Sequence, residues 1–257
     1  VRLVPILEVF IILTLSFRFS GGTFLSVRYV HRSGGFILKA VLFDLGDTLI
    51  KTPCIVTNFQ KILKTHGIYR AQEEILTAYE ESEKLLSMEL MKTMFDEFWI
   101  KRNNLFLEKL GVFGRIDLAK TIAEEWWDHA DVSLYPDVNE TPIELKRRGI
   151  KMGIITNGLQ SDLAKLLAKT GLNTNAFDII ITVDPIGFMK PEREIFHHAL
   201  EKIQVLPKEA LFVGDTIEYD YKGAKNAGLQ ALVIDRDGKI NENIEKIRDL
   251  REILAFV

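Results

Sequence analysis

Apolar positions in this chain follow two rhythms. Short continuous runs closed by glycine, proline or polar residues fall at 39–43, 151–155, 177–182, 210–213 and 230–234, and read as buried strands. Between and after them lie stretches with helical spacing, at 159–169, 192–203, 221–227 and 244–254. The first and third of these stop before Gly171 and Gly228, as helices do. Strands alternating with helices imply right-handed crossovers and a parallel sheet covered on both faces, an α/β class. One long segment breaks the alternation. Pro53 can open a helix running toward His66, and from 71 to about 130 the pattern stays helical without β-branched runs. It predicts an all-helical insert of three or four helices over 52–133, with Gly111 and Gly114 marking a turn. Tyr135-Pro136-Asp137 marks the return, so the core is built from 38–51 and 134–257.

The first 37 residues fit neither rhythm. Residues 3–17 are apolar except for Glu8, Thr14 and Ser16, shorter than the ~20 apolar residues of a spanning helix, and Glu8 would be costly in lipid. No small-residue cleavage site follows. The stretch with Gly21-Gly22, Arg28, His31-Arg32 and Gly34-Gly35 shows no sustained period. The chain starts with Val, whereas 38–44 looks like the opening of a folded unit. Residues 1–37 are therefore read as an atypical extension, translated from upstream of the true start; membrane anchoring or export, or an ordered extra element, are the alternatives. No membrane partner is expected unless this stretch is genuine.

Composition narrows the choices. A chain of 257 residues with 47% hydrophobic content can bury a full core and carry a smaller accessory domain. Its 33 basic and 36 acidic residues leave a net charge of −3 with no basic block, which argues against nucleic acid as a partner. One cysteine, Cys54, rules out an intramolecular disulfide and fits a reducing, cytoplasmic compartment. With no base at motif spacing, Cys54 reads as a small buried residue rather than a nucleophile. His129 and His197-His198 lack a third ligand at sensible spacing for zinc. Trp99, Trp126 and Trp127 all fall in the insert and fit helix packing, with one of them able to line a substrate entrance. The charged stretch 242–251 reads as a solvated helix face.

Four polar segments each follow a predicted strand, where functional residues of such sheets gather. They are 43–49 (Phe-Asp-Leu-Gly-Asp-Thr-Leu), Thr156-Asn157-Gly158, Lys190-Pro191, and Gly214-Asp215-Thr216 followed by Asp220. Asp44 is the candidate nucleophile: a carboxylate can attack phosphorus and divide hydrolysis into two easier steps. Repulsion between carboxylate and phosphate calls for a cation, and Mg²⁺ bridging their oxygens would supply it. Asp215 reads as the second protein ligand, with Gly214 allowing close backbone approach. Asp220 could coordinate, orient a metal-bound water, hold Lys190, or cap the helix at 221–227. Thr156 and Asn157 offer a hydroxyl and nearby N–H groups to the phosphoryl oxygens. Lys190 would neutralise phosphate and carboxylates, its direction fixed by Pro191. Each segment alone is a weak signal; their shared position at strand ends gives them meaning.

The order and spacing of these segments resemble the haloacid dehalogenase superfamily, in the branch with a helical cap inserted after the first motif, over residues 40 to about 235. The resemblance implies a three-layer Rossmann-like sheet, a mobile cap closing over substrate, and a Mg²⁺-dependent phosphomonoesterase acting on a small phosphorylated metabolite. It also implies that Asp44, the Gly46 carbonyl, Asp215 and Asp220, directly or through water, surround the metal. One departure stands out. The family's phosphatases usually carry a second aspartate two residues after the nucleophile, as acid and base; here that place holds Gly46, and the acid is Asp47. Thr48 keeps its place, so a shifted alignment gives no escape. Three accounts stay open: Asp47 substitutes, a held water transfers the proton, or turnover is weak and Asp47 is structural. A site short of an optimal acid should prefer good leaving groups, such as aryl or acyl phosphates. Gly46 also keeps alive a metal-independent 2-haloacid dehalogenase, which needs no acid, although the Gly214-Asp215-Thr216 segment argues against it. A retained, inactive binding module is the non-enzymatic alternative.

Overall fold

A computed structural model of the protein describes residues 10–18, 24–32, 37–85 and 95–257. Strands β1 (Phe10–Arg18) and β2 (Phe24–Arg32) pair antiparallel as a two-stranded sheet of their own, so part of the extension has regular pairing where the sequence shows no period. The main sheet holds β3 (Ala40–Phe43), β6 (Lys151–Ile155), β7 (Ile179–Ile181), β8 (Ala210–Gly214), β9 (Gln230–Ile234) and β10 (Lys246–Ile247). All six run parallel in the order β10-β9-β8-β3-β6-β7. β3 lies at the centre with every residue fully buried. Side chains alternate across the sheet. Val41, Phe43, Ile154 and Val213 join one core, and Ala40, Leu42, Ile155 and Phe212 the other. Helices α5 (Thr141–Arg147) and α6 (Gln160–Thr170) cover the first core through Leu145 and Leu166. Helices α7 (Arg193–Ile203) and α8 (Gly223–Asn226) cover the second through Phe196, Leu200 and Ala224. The three-layer α/β architecture is the one expected.

The insert follows β4 (Ile50–Lys51), whose antiparallel partner β5 (Ser133–Leu134) receives the returning chain. Between them lie α1 (Ile55–Thr65), α2 (Gln72–Glu83), α3 (Phe95–Lys109) and α4 (Ile116–His129). These helices bury a cluster of their own, with Phe59 stacked on Phe106 at 4.0 Å between ring centroids. The neck between insert and core is pinned by Arg236, which donates to Asp137 Oδ2 at 2.5 Å and to the Thr48 carbonyl at 2.6 Å. Its guanidinium lies over the Tyr135 ring at 3.9 Å. Among the described residues, no helix is long and apolar enough to cross a membrane.

Two expectations are corrected. Residues 244–254 do not form a helix: they contribute β10 and a separate 3₁₀ turn, Leu250–Ala255. Ile247, Leu250 and Ile253 are spaced like one helical face and all are buried, but Ile247 pairs with Ile234 of β9. Asp249 then interrupts, its side chain accepting from Arg251 N while Glu252 accepts from Asp249 N. Cys54, expected to be buried, is exposed where the chain enters α1.

Candidate active site

Parallel pairing puts the four polar segments at one edge of the sheet. Phe43 sits between Ile154 and Val213 in register, and the next residue, Asp44, donates its N–H to the Val213 carbonyl at 2.9 Å. Thr156 leaves β6 with its N–H on the Ile181 carbonyl at 3.0 Å. Lys190 reaches in from the loop before α7 and is 2% exposed. Its Nζ donates to Asp44 Oδ1 at 2.5 Å and to Asp220 Oδ1 at 2.7 Å. Asp220 Oδ2 accepts from Thr216 N at 3.0 Å and Thr216 Oγ1 at 2.6 Å, so both its oxygens are engaged.

Backbone geometry makes this convergence feasible. The chain after β8 takes a π-helical turn, Ile217–Lys222, rather than entering a helix at 221, and this folds Asp220 back over Gly214. A Cβ at Gly214 would lie 2.3 Å from Asp220 Cγ, so only glycine admits that carboxylate. Gly223 plays the same part for Lys190-Pro191, since its Cβ would lie 2.9 Å from Pro191 Cα. Asp220 thus stands inside a helical turn and accepts from the N–H of Thr216 just before it, rather than standing at a helix N-cap.

Asp44, Asp215 and Asp220 each offer an oxygen within 4.8 Å of the others. Burial, then the neighbouring Asp44 and Asp220 charges, push the Asp215 carboxyl up to about 8. Burial also raises Asp44 to about 6, against the pull of Lys190 and with a push from Asp220. Lys190 is held above the usual lysine range: burial opposes its charge, and Asp220 and Asp44 overcome that. Three carboxyl groups face one ammonium, so ionising all of them leaves unbalanced negative charge at the cluster. A hard divalent cation fits such an all-oxygen donor set, and Mg²⁺ is of that type.

Other expected residues take less direct positions. Asn157 does not present its amide to the cluster: Oδ1 accepts from Lys190 N at 2.8 Å and Nδ2 donates to Lys190 O at 3.0 Å, clamping the lysine backbone. Thr156 Oγ1 accepts from Gly158 N at 3.1 Å, which leaves its proton to donate. Asp47 lines the same cavity as Asp44, with φ +49° and both oxygens on Thr52, at 3.0 Å from its N and 2.7 Å from Oγ1. Gly46 also lines the cavity, and a Cβ there would lie 3.3 Å from Thr52 Cγ2. Thr52, which holds Asp47, has no signature in the sequence; Thr216 stands in the fourth segment, and its bonds to Asp220 give it a role there. The cavity over Asp44, about 430 Å³, lies between core and insert and is lined by all three tryptophans.

Comparison with known proteins agrees with this arrangement. Residues 38–228 match the model of the haloacid dehalogenase-like hydrolases. The chain is 28% identical over 241 residues to glyceraldehyde 3-phosphate phosphatase of Methanothermobacter thermautotrophicus, covering 85% of this chain and 100% of that one. It is 32% identical over 229 residues to the putative pyrophosphatase PpaX of Clostridium perfringens, covering 86% and 98%. The crystal structure of a HAD phosphatase from Thermococcus onnurineus superposes with a TM-score of 0.58 at 28% identity, over 85% of this chain and 97% of that one. Fold, converging site and sequence together say that the chain belongs to the haloacid dehalogenase-like hydrolases.

Proposed function

We propose that the protein is a Mg²⁺-dependent phosphomonoesterase of small phosphorylated metabolites, working through an aspartyl-phosphate on Asp44. The observation that carries this reading is the cluster of Asp44, Asp215 and Asp220, the first and last of them paired with the buried Lys190. Asp44 and Asp215, with the Gly46 carbonyl, would hold the metal, while Asp220 acts through Lys190 and Thr216. Bound there, Mg²⁺ would screen the repulsion between carboxylate and phosphate dianion. An Asp44 oxygen forms the new bond to phosphorus as the bond to the ester oxygen breaks, and the departing alkoxide takes a proton from water. Water then attacks the acyl phosphate, returning the Asp44 carboxylate and releasing inorganic phosphate. Lys190 and the Thr156 hydroxyl receive the phosphoryl oxygens, whose charge must be met in flight. The catalytic unit is 38–51 with 134–257, and the insert over 52–133 closes above it and excludes bulk water. The relatives named as phosphatases support the reaction class.

The test is phosphate release from a panel of sugar and aryl phosphates. Activity should need Mg²⁺, vanish with a chelator and fall to background in Asp44→Asn. Chloride release from 2-chloropropionate with chelator present would instead favour dehalogenation. Silence toward every ester would leave a binding module.

A further inference from the structure

The cavity over Asp44 is polar at its floor and apolar above. The indoles of Trp99, Trp126 and Trp127, with leucines along α6, make up much of the upper wall. Among the described residues this wall carries one basic side chain, Arg102, and its charge is already answered. Arg102 Nε donates to Glu83 Oε1 at 2.7 Å, and its guanidinium lies 5.1 Å from the Tyr79 ring centroid and 5.2 Å from that of Trp99. The Arg102 side chain is 11% exposed, while that of Glu83 reaches the surface at 40%. Asn103 Nδ2 donates to the Ala119 carbonyl at 3.2 Å. The acid on the same wall, Asp162, is hydrogen-bonded to the Trp127 side chain.

These contacts discriminate between leaving groups. A polyol would set hydroxyls against indole faces with nothing to bond, and each unpaired buried polar group is costly. Among the described residues of the wall, a second phosphate or a carboxylate would meet Asp162 and an Arg102 already paired with Glu83. A flat apolar group would gain the area and the ring contacts that indoles offer. We propose that this site takes phosphate monoesters of uncharged, apolar, ring-sized alcohols or phenols, and that the Arg102–Glu83 pair turns away esters bearing a second anion. The floor of the site is taken from the phosphatase reading above; the wall is an independent observation.

Benzyl phosphate and glycerol 3-phosphate release alcohols of similar acidity, so comparing them isolates the wall from the chemistry. Expected kcat/KM is about 10- to 100-fold higher for benzyl phosphate, the factor that burying one aromatic ring supports. Equal values, or the reverse order, overturn the proposal. In Glu83→Gln the freed Arg102 should raise kcat/KM for 3-phosphoglycerate about tenfold relative to benzyl phosphate. An unchanged ratio overturns the role given to the pair. Because all three tryptophans line the cavity, their fluorescence reads binding apart from turnover. Saturable quenching by the uncleavable benzylphosphonate, with much weaker quenching by phosphonoacetate, supports the wall even in a protein that hydrolyses no ester, a result that would sink only the phosphatase reading. Equal quenching by the two overturns the proposal.

Discussion

At position 47 the backbone turns through φ +49°, a region glycine enters freely and aspartate tolerates. Glycine instead stands at 46, where φ is not positive. The pair is thus exchanged relative to the backbone's own preference, and Thr52 compensates by holding both Asp47 oxygens. A carboxylate so bound is a poor proton donor to a departing alcohol. Hydrolysis should therefore quicken as the leaving group becomes more acidic, measured across substituted phenyl phosphates; a flat dependence would sink this account. The exchange Gly46→Asp/Asp47→Gly should flatten the dependence and speed alkyl esters by about 10²-fold, the lower end for general acid catalysis. Asn157 offers a second residue-level test. Asn157→Ala removes both bonds to the Lys190 backbone, each worth about 1 kcal/mol. It should lower kcat more than it raises KM, because the lysine loses its aim and not its charge.

Elements succeed or fail as units here. The central strands were legible because burial on both faces leaves unbroken apolar runs, as in Ala40–Phe43 and Ala210–Gly214. β4 and β5, two residues each, are too short for any period to show. The 244–254 stretch misled because Ile247, Leu250 and Ile253 bury at helical spacing without belonging to one helix. In the site, residues that follow strands were found, while Asn157's partner was not: its target is the Lys190 backbone, far along the chain and silent in sequence. Gly214→Ala tests the turn after β8. The added methyl would lie 2.5 Å from Asp220 Cβ, so the turn must shift, at a cost of about 1–3 kcal/mol with loss of activity. Unfolding in urea would measure the first and phosphate release the second.

For the whole molecule the acidic cluster sets a pH dependence. Asp215 and Asp44 have native values of about 8 and about 6 against an ordinary 3.8, so the native state binds their protons more tightly than the unfolded chain. Their contribution is best below 3.8 and is lost as pH rises through about 6 and about 8. Without metal, melting temperature should therefore lose ground between pH 5 and pH 8. Added Mg²⁺ should restore more at pH 8 than at pH 5.5, since a bound cation displaces those protons. Differential scanning fluorimetry with and without Mg²⁺ would show it; equal increments at both pH values would count against a cation at this cluster. The neck has a mechanical corollary. Both covalent crossings to the insert run side by side through β4 and β5, with Arg236 bolted beneath them. A body so joined, with Lys165 and Lys169 of α6 also holding the end of α4, would swing like a door rather than slide like a drawer. Displacement along such an arc grows with radius, so in the proposed closure Thr52 and Pro53 beside the pivot would stay put while Trp99 and Arg102 on α3 would travel. The end of the substrate that meets the hinge would be gripped before the door shuts, and the end that meets Trp99 only afterwards.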